Sequence, residues 1–235
     1  MIPLIGLVTG SEPFAGLPTN PAQMVLPHLD GTEVDGVRIV ALPTPVSYAR
    51  LPALLPALID EHRPVFIVAL GLALGAPVVR AEKYAINAAH FGVADNEGAR
   101  PTGGEKIDPA GPEGRAATWN AEAVVEAILA AGIPARTSYH AGTHLCNLTL
   151  YTYLGALEAR GLASPCGFLH LPYLPEQVVW MMRRRAGRGD SAPTTPLDLA
   201  SMDFDTQLAA VRACLGAAAR QALGTGTAAE PEKTR

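Results

Sequence analysis

The sequence has few of the features that mark secreted, membrane-spanning or nucleic-acid-binding proteins. Only three of its 235 residues are cysteine, a small and odd number that argues against a disulfide framework and favours a reducing cytoplasm. No run of about 18 apolar residues occurs, so no membrane helix is predicted. The formal net charge is -4, which gives no global basic surface for nucleic acid or anionic lipid. We therefore expect a cytoplasmic protein without nucleic-acid or membrane partners.

What the sequence does contain is a series of short apolar runs that alternate with alanine- and leucine-rich segments. The apolar opening has no basic flank or cleavage-like site, so it predicts a buried first strand instead of a signal peptide. Strands are predicted at residues 3–10, 37–42, 65–71, 135–140 and 166–173, and helices at residues 20–29, 48–62, 118–131, 143–159 and 202–222. This alternation is typical of an α/β domain whose mainly parallel sheet is covered on both faces.

Two segments interrupt the alternation. Residues 92–115 are rich in glycine, proline and charge and predict a long surface loop or an interface arm. Residues 183–200 contain three consecutive arginines and predict a flexible, solvated loop. We expect a single domain over residues 1–223 and a disordered tail over residues 224–235.

Cys146 is the most reactive group that the sequence suggests. Gly142 permits a sharp turn after the predicted fourth strand, and Thr143 is a candidate N-cap for the helix that follows. Cys146 then lies in the first helical turn, where free N–H groups and the helix dipole stabilise a thiolate. The alternative is a small buried apolar residue, as we expect for Cys214.

Neither a metal site nor a nucleotide site is predicted. His140 and His144 have a spacing that suits a zinc pair only on one helical face, whereas here a turn separates them and no fourth ligand is near in sequence. The segment GLALGA at residues 71–76 lacks the spacing of a dinucleotide loop, and the chain after Pro77 looks extended. We expect its glycines to let the backbone approach a ligand closely, and we expect no cofactor.

Two further residues complete a possible hydrolase site. His170 lies near the end of a very apolar strand, where it is either a core histidine bonded to the backbone or a general base aimed at a cleft. Glu82 lies in a mostly apolar stretch, with Lys83 as an ordinary ion-pair partner in the simpler interpretation. Together with Cys146 they supply a nucleophile, a base and an orienting carboxylate.

Four segments carry a resemblance to the pyroglutamyl-peptidase I family of cysteine peptidases. VTGSEPFAGLPTNPA resembles the family's V-T-G-F-E-P-F-G-G…N-P-S, and EKYAIN with DNEG resembles E-R-x-A-I-N…P-D-N-x-G. SYHAGTHLCN resembles S-x-x-A-G-T-x-x-C-N, and GFLHLPYLPEQ resembles G-F-x-H-[IL]-P-Y-x-P-E-Q. They occur in family order over residues 5 to about 177.

The resemblance implies roles for seven residues. Cys146 is the implied nucleophile, His170 the base and Glu82 its orienting carboxylate. The implied substrate contacts are Phe14, Asn20, Leu72 and Leu145. The resemblance also implies an α/β/α sandwich of the phosphorylase/hydrolase type, a homotetramer or homodimer that needs no metal, and peptides with an N-terminal pyroglutamate as substrates.

The same comparison shows departures that keep other functions open. Ser11 replaces a family phenylalanine in the pocket, Ala76 and Gly92 replace family arginines, and Ala94 replaces a proline. Phe91 or Tyr84 is a candidate to restore the lost aromatic wall. A cysteine amidohydrolase for another small N-acyl or lactam group, a non-catalytic oligomeric relative and, more remotely, a nucleoside-binding protein on the same fold stay open.

Overall fold

The computed structural model describes residues 3–186 and 198–224. Its main sheet has the strand order β2-β3-β1-β4-β9-β5-β8. The pairs β1–β3, β1–β4, β4–β9 and β5–β8 are parallel, whereas β2–β3 and β5–β9 are antiparallel. The sheet is therefore mainly parallel, and the predicted α/β class is confirmed.

The elements follow one another in strand–helix alternation. The strands are β1 Leu4–Ser11, β2 Glu33–Val34, β3 Val37–Thr44, β4 Phe66–Leu72, β5 Val79–Glu82, β6 Tyr84–Ile86, β7 Gly114–Ala116, β8 Ala135–Ser138 and β9 Cys166–Leu171. The helices are α1 Pro21–Met24, α2 Leu51–His62, α3 Ala121–Ala130, α4 Leu145–Ala159, α5 Pro175–Ala186 and α6 Phe204–Ala222, with a 3-10 turn at Leu26–His28.

The sheet separates two apolar cores, which is why its central strands are apolar on both faces. On β4, Phe66, Val68 and Leu70 face the core formed with α1, α3 and α6. Ile67 and Ala69 face the opposite core, formed with α2 and α4. Both faces of the sheet are thus covered by helices, as the continuous apolar run of β4 predicts for a central parallel strand.

Several predicted boundaries were wrong for identifiable reasons. Residues 183–186 belong to α5 instead of a flexible loop, because a helix that begins at Pro175 and carries Glu176 in its first turn ends favourably on basic residues. Residues 187–197 of that predicted loop lie outside the described residues. The predicted helix at 20–29 is a single turn followed by the 3-10 turn, in which Pro27 has no backbone N–H to donate.

The segment 92–115 lacks regular structure until its last residues, which belong to β7. β7 pairs antiparallel with β6 in a separate two-stranded sheet, a pairing that the sequence did not predict. The buried Asp95 side chain anchors the segment by accepting hydrogen bonds from the amides of Tyr48, Glu97 and Ala99 at 2.7–2.9 Å. Residues 225–235 of the predicted tail lie outside the described residues.

Among residues 3–186 and 198–224, no helix is both long and apolar enough to cross a bilayer.

Candidate active site

Cys146 lies in the first turn of α4, directly after the loop that leaves β8. The N-cap of this helix is His144, with no side-chain cap hydrogen bond, so the expectation that Thr143 caps it was wrong. The amide of Leu148 donates to the carbonyl of His144 at 3.1 Å, and the amides before it have no intrahelical acceptor. The Cys146 thiol therefore lies at the positive end of the helix.

His170 and Glu82 form a buried hydrogen-bonded pair. Nδ1 of His170 is 2.7 Å from Oε1 of Glu82, and the two residues are only 7% and 1% exposed. With Nδ1 engaged by the carboxylate, Nε2 is the nitrogen left for Cys146, which lines the same cleft as His170 and Glu82. The structure thus brings together the three residues that sequence reasoning selected.

The surroundings of His170 favour its protonated form. Burial disfavours a charge on the ring, but it is outweighed by attraction and hydrogen bonding to the Cys146 sulfur and to the Glu82 carboxylate. Together these raise the pKa of the imidazole from the ordinary 6.5 to about 9. By contrast, burial raises the pKa of the Cys166 and Cys214 thiols, which keeps both protonated and unreactive. Only Cys146 faces a protonated histidine.

Gly71, near the end of β4, allows the sulfur to reach this position. A Cβ atom on Gly71 would lie 3.0 Å from the Cys146 sulfur and 2.6 Å from Cζ of Phe168. The Phe168 ring packs in turn against His170, with ring centroids 4.7 Å apart. The first glycine of GLALGA is therefore needed for packing against Cys146 and Phe168, and close approach of this backbone to a ligand stays a prediction.

An open cleft of about 370 Å³ lies over the three residues. A smaller recess of about 20 Å³ adjoins it, and Cys146 lines both. The four residues expected to contact substrate all line this recess: Phe14, Asn20, Leu72 and Leu145. A larger groove of about 550 Å³ beside α4 contains none of the predicted site residues.

Asn20 has a structural task as well as a place in the recess. Its Oδ1 accepts from the amide of Ala22 at 3.0 Å, which caps α1, and its Nδ2 donates to the carbonyl of Glu12 at 3.1 Å. A carboxamide NH2 group has two hydrogens. Among the described residues, this NH2 group donates only to Glu12.

His144 provides an aromatic wall that the sequence comparison did not identify. Its ring packs against Phe91 and Phe14, with centroid distances of 4.1 and 5.8 Å. Burial lowers the pKa of His144, so the neutral ring donates from Nε2 to the carbonyl of Val93, 3.1 Å away. The two candidates for the lost aromatic wall line neither the cleft nor the recess: Phe91 is fully buried, and Tyr84 stacks on Tyr139.

The loop before Cys146 is tied to the segment after β6. The Thr143 hydroxyl donates to the carbonyl of His90 at 2.7 Å. The buried Asn147 side chain accepts from the amide of Ile86 at 2.8 Å and donates to the carbonyls of Ile86 and Ala88 at 2.8 and 3.1 Å. Sequence reasoning missed Asn147, although an amide side chain inside an apolar helix next to the nucleophile was an available signal.

The positions that depart from the family pattern differ in their surroundings. Ser11 lines the recess and Gly92 lines the cleft, so both replacements change the site itself. Ala76 is fully buried and lines neither cavity. Arg80, which sequence reasoning also missed, lines the cleft and supplies a guanidinium there.

His140 and His144 were considered with Cys146 as a metal site from the sequence. Within the described ranges, no group of three or more His, Cys, Asp or Glu side chains is placed to hold a metal ion. Nδ1 of His140 accepts from the amide of Gly142 at 3.2 Å, and His144 is bonded to Val93 as described above.

Comparison with known proteins agrees with this arrangement. Residues 5–221 match the family model described as pyroglutamyl peptidase. The pyrrolidone-carboxylate peptidase of Pyrococcus furiosus is 30% identical over 217 residues, covering 92% of this chain and 99% of that protein. The enzyme of the same name from Pseudomonas fluorescens is 39% identical over 180 residues, covering 76% and 83%.

Solved structures agree with the fold as well. A mutant pyrrolidone carboxyl peptidase from Pyrococcus furiosus superposes with a TM-score of 0.83 at 29% identity, covering 93% of this chain and 99% of that one. A second structure from that organism, of the peptidase and its cysteine-free mutant, gives a TM-score of 0.84 and covers 93% and 100%. With its sequence, its sheet and its matching motifs in accord, this chain belongs to the pyroglutamyl peptidase family of cysteine peptidases.

Proposed function

We propose that this protein is an exopeptidase that removes N-terminal pyroglutamate from peptides, with Cys146 as nucleophile, His170 as acid and base, and Glu82 as the carboxylate that orients His170. The observation that carries the proposal is the buried 2.7 Å bond between Glu82 and His170, with Cys146 lining the same cleft as this pair. A cysteine, a histidine and an orienting carboxylate in this order form a complete nucleophilic triad.

Acylation begins from the Cys146 thiolate and the protonated His170. The sulfur attacks the carbonyl carbon that follows the lactam ring and forms a C–S bond, and the negative charge moves to the carbonyl oxygen. Amides at the start of α4 are in place to donate to that oxygen. When the oxyanion collapses, the C–N bond breaks and His170 gives its proton to the departing amine.

Deacylation returns the site to its starting state. The neutral His170 takes a proton from water, and the water oxygen attacks the thioester carbonyl. The C–S bond then breaks, pyroglutamate leaves as the free acid, and Cys146 departs as the thiolate beside the protonated ring. Glu82 keeps Nδ1 engaged throughout, so that Nε2 is the nitrogen that exchanges the proton.

The chemistry of the side chains that line the recess, though not its volume of about 20 Å³, matches a small neutral ring. Phe14 and Leu145 offer apolar surface and the Asn20 amide offers a donor, and the resemblance implies a further hydrogen bond to the backbone near Leu72. A lactam carries one donor and one acceptor on an otherwise apolar ring, which matches a pocket of this kind.

Hydrolysis of a pyroglutamyl fluorogenic amide tests the proposal. We expect turnover by the wild type and none above background by Cys146→Ala. Cys214→Ala is the matched control, because Cys214 is fully buried in the opposite core. A wild type that is folded and inactive on this substrate would overturn the proposed function.

A second candidate is an amidohydrolase of the same chemistry with another small N-acyl specificity. Two observations favour it: Ser11 replaces an aromatic wall, and the recess holds about 20 Å³, space for roughly one water molecule. A ring therefore enters only if Phe14 or His144 turns aside. Turnover of a panel of N-acyl amides, with the pyroglutamyl amide inert, would select this candidate.

The non-catalytic alternative makes a different prediction for Cys146. In a scaffold protein, iodoacetamide alkylates Cys146 at the same rate in the wild type and in His170→Ala. We expect faster alkylation in the wild type, because a protonated His170 stabilises the thiolate. The homotetramer or homodimer stays an expectation from the resemblance, which light scattering tests.

A further inference from the structure

Arg80 is a charged side chain of the cleft that has no ion-pair or hydrogen-bond partner among the described residues. Its side chain lines the cleft with Glu82, Cys146 and His170. In the part of the chain that the structure describes, its Nε is buried with no hydrogen-bond acceptor, and its guanidinium forms none of the ion pairs. Because arginine keeps its charge at every ordinary pH and a buried unpaired donor is costly, this group is suited to a ligand.

The strand register places Arg80 next to the catalytic base. β5 and β9 pair antiparallel, with Arg80 opposite His170 and Glu82 opposite Phe168. Directly opposite residues project from the same face, with Cβ atoms about 4.5–5.5 Å apart. Since β9 runs toward the cleft, Arg80 lies closer to the mouth of the cleft than Glu82 does.

The charges around Arg80 leave its own charge uncompensated. Glu82 is the one acidic residue among those that line the cleft in the described chain, and it is bonded to His170. On the other side, the parallel partner of Arg80 on β8 is Arg136, a second cation. The cleft at this point therefore favours an anion.

We propose that Arg80 binds the α-carboxylate of the amino acid that leaves, so that the preferred substrates are pyroglutamyl dipeptides with a free C-terminus. This inference rests on the proposed function, because His170 then donates its proton to the leaving amine. In an amino acid the α-carboxylate is separated from the amine by a single carbon, so an amine at His170 places its carboxylate beside Arg80. The guanidinium fork matches a carboxylate in two parallel hydrogen bonds.

The test compares three substrates: pyroglutamyl-alanine, pyroglutamyl-alanine amide and pyroglutamyl-glutamate amide. The rate at which the second residue is released gives kcat/KM for each substrate. The wild type is expected to prefer the free acid over the alanine amide by about 10- to 100-fold, the usual effect of a hydrogen bond to a charged group. Arg80→Met brings this acid-to-amide ratio close to one, whereas Arg80→Lys keeps a ratio between one and that of the wild type.

Arg136→Gln is the matched control, because it removes the same charge from the neighbouring strand without changing the lining of the cleft. It keeps the wild-type ratio. A wild-type ratio near one overturns the inference, even if Arg80→Met fails to fold. The inference also fails if Arg80→Met loses activity equally on all three substrates. It fails as well if the wild type prefers pyroglutamyl-glutamate amide to pyroglutamyl-alanine. Lack of activity on every pyroglutamyl substrate, including the fluorogenic amide, instead refutes the proposed function.

Discussion

Gly71→Ala is the substitution whose effect follows most directly from the geometry of the site. The added Cβ lies 3.0 Å from the Cys146 sulfur and 2.6 Å from Cζ of Phe168. Favourable contacts between carbon atoms lie at about 3.5–4.0 Å, so the neighbours must shift by up to about 1 Å. Phe168 packs on His170, and its movement displaces the base as well as the nucleophile.

Two magnitudes follow from that displacement. A shift of about 1 Å in a catalytic group lowers kcat by roughly 100-fold. The extra methyl group also overpacks the core beneath the site, which costs about 1–3 kcal/mol of the free energy of unfolding. For a chain of this length, such a loss lowers the thermal midpoint by about 2–12 °C.

The assay measures kcat on a pyroglutamyl fluorogenic amide together with thermal unfolding. Gly103→Ala is the control, because its added Cβ meets only the Glu105 side chain at an ordinary distance of 3.5 Å. A Gly71→Ala protein that keeps kcat within twofold of the wild type would show that the sulfur does not need this close approach, and the reasoning would fail.

Three other predictions concern the residues around the nucleophile. Glu82→Gln lowers kcat by about 100- to 10,000-fold and moves the alkaline limb of the kcat/KM profile below pH 9, which a pH series checks. The pKa of His170 in the folded protein, about 9, exceeds its ordinary value of 6.5. The contribution of His170 to stability is therefore complete below pH 6.5 and is lost as pH rises through 9. Thermal unfolding at increasing pH should show this decline in the wild type and a smaller decline in His170→Gln. Asn147→Ala leaves backbone groups of Ile86 and Ala88 unpaired and costs about 2–4 kcal/mol, which urea unfolding measures.

Periodicity and composition predicted the fold class because its signals are local. The central strand β4 is apolar at every position, as burial on both faces requires. The helix α5 was missed because its basic end, residues 183–186, was assigned to the predicted loop at 183–200, although Pro175 was a helix-start signal. The β6–β7 pair was missed because it joins residues on either side of a long irregular segment.

The site was predictable in its parts and not in its assembly. Glu82 and His170 are 88 residues apart, and only the antiparallel register of β5 against β9 brings them together. That register reverses the parallel order of the neighbouring strands, which the sequence does not indicate. Arg80 shares a strand face with Glu82 because it lies two residues before it, a signal that was present and was not used.

Peptide mass spectrometry of enzyme quenched in acid during turnover of pyroglutamyl p-nitroanilide would identify the residue that carries the acyl group. We expect a pyroglutamyl group on Cys146 that hydroxylamine removes, as for a thioester, and no such adduct on Cys166 or Cys214. Continued hydrolysis with the pyroglutamyl group on another residue, accompanied by full activity of Cys146→Ala, would contradict this expectation.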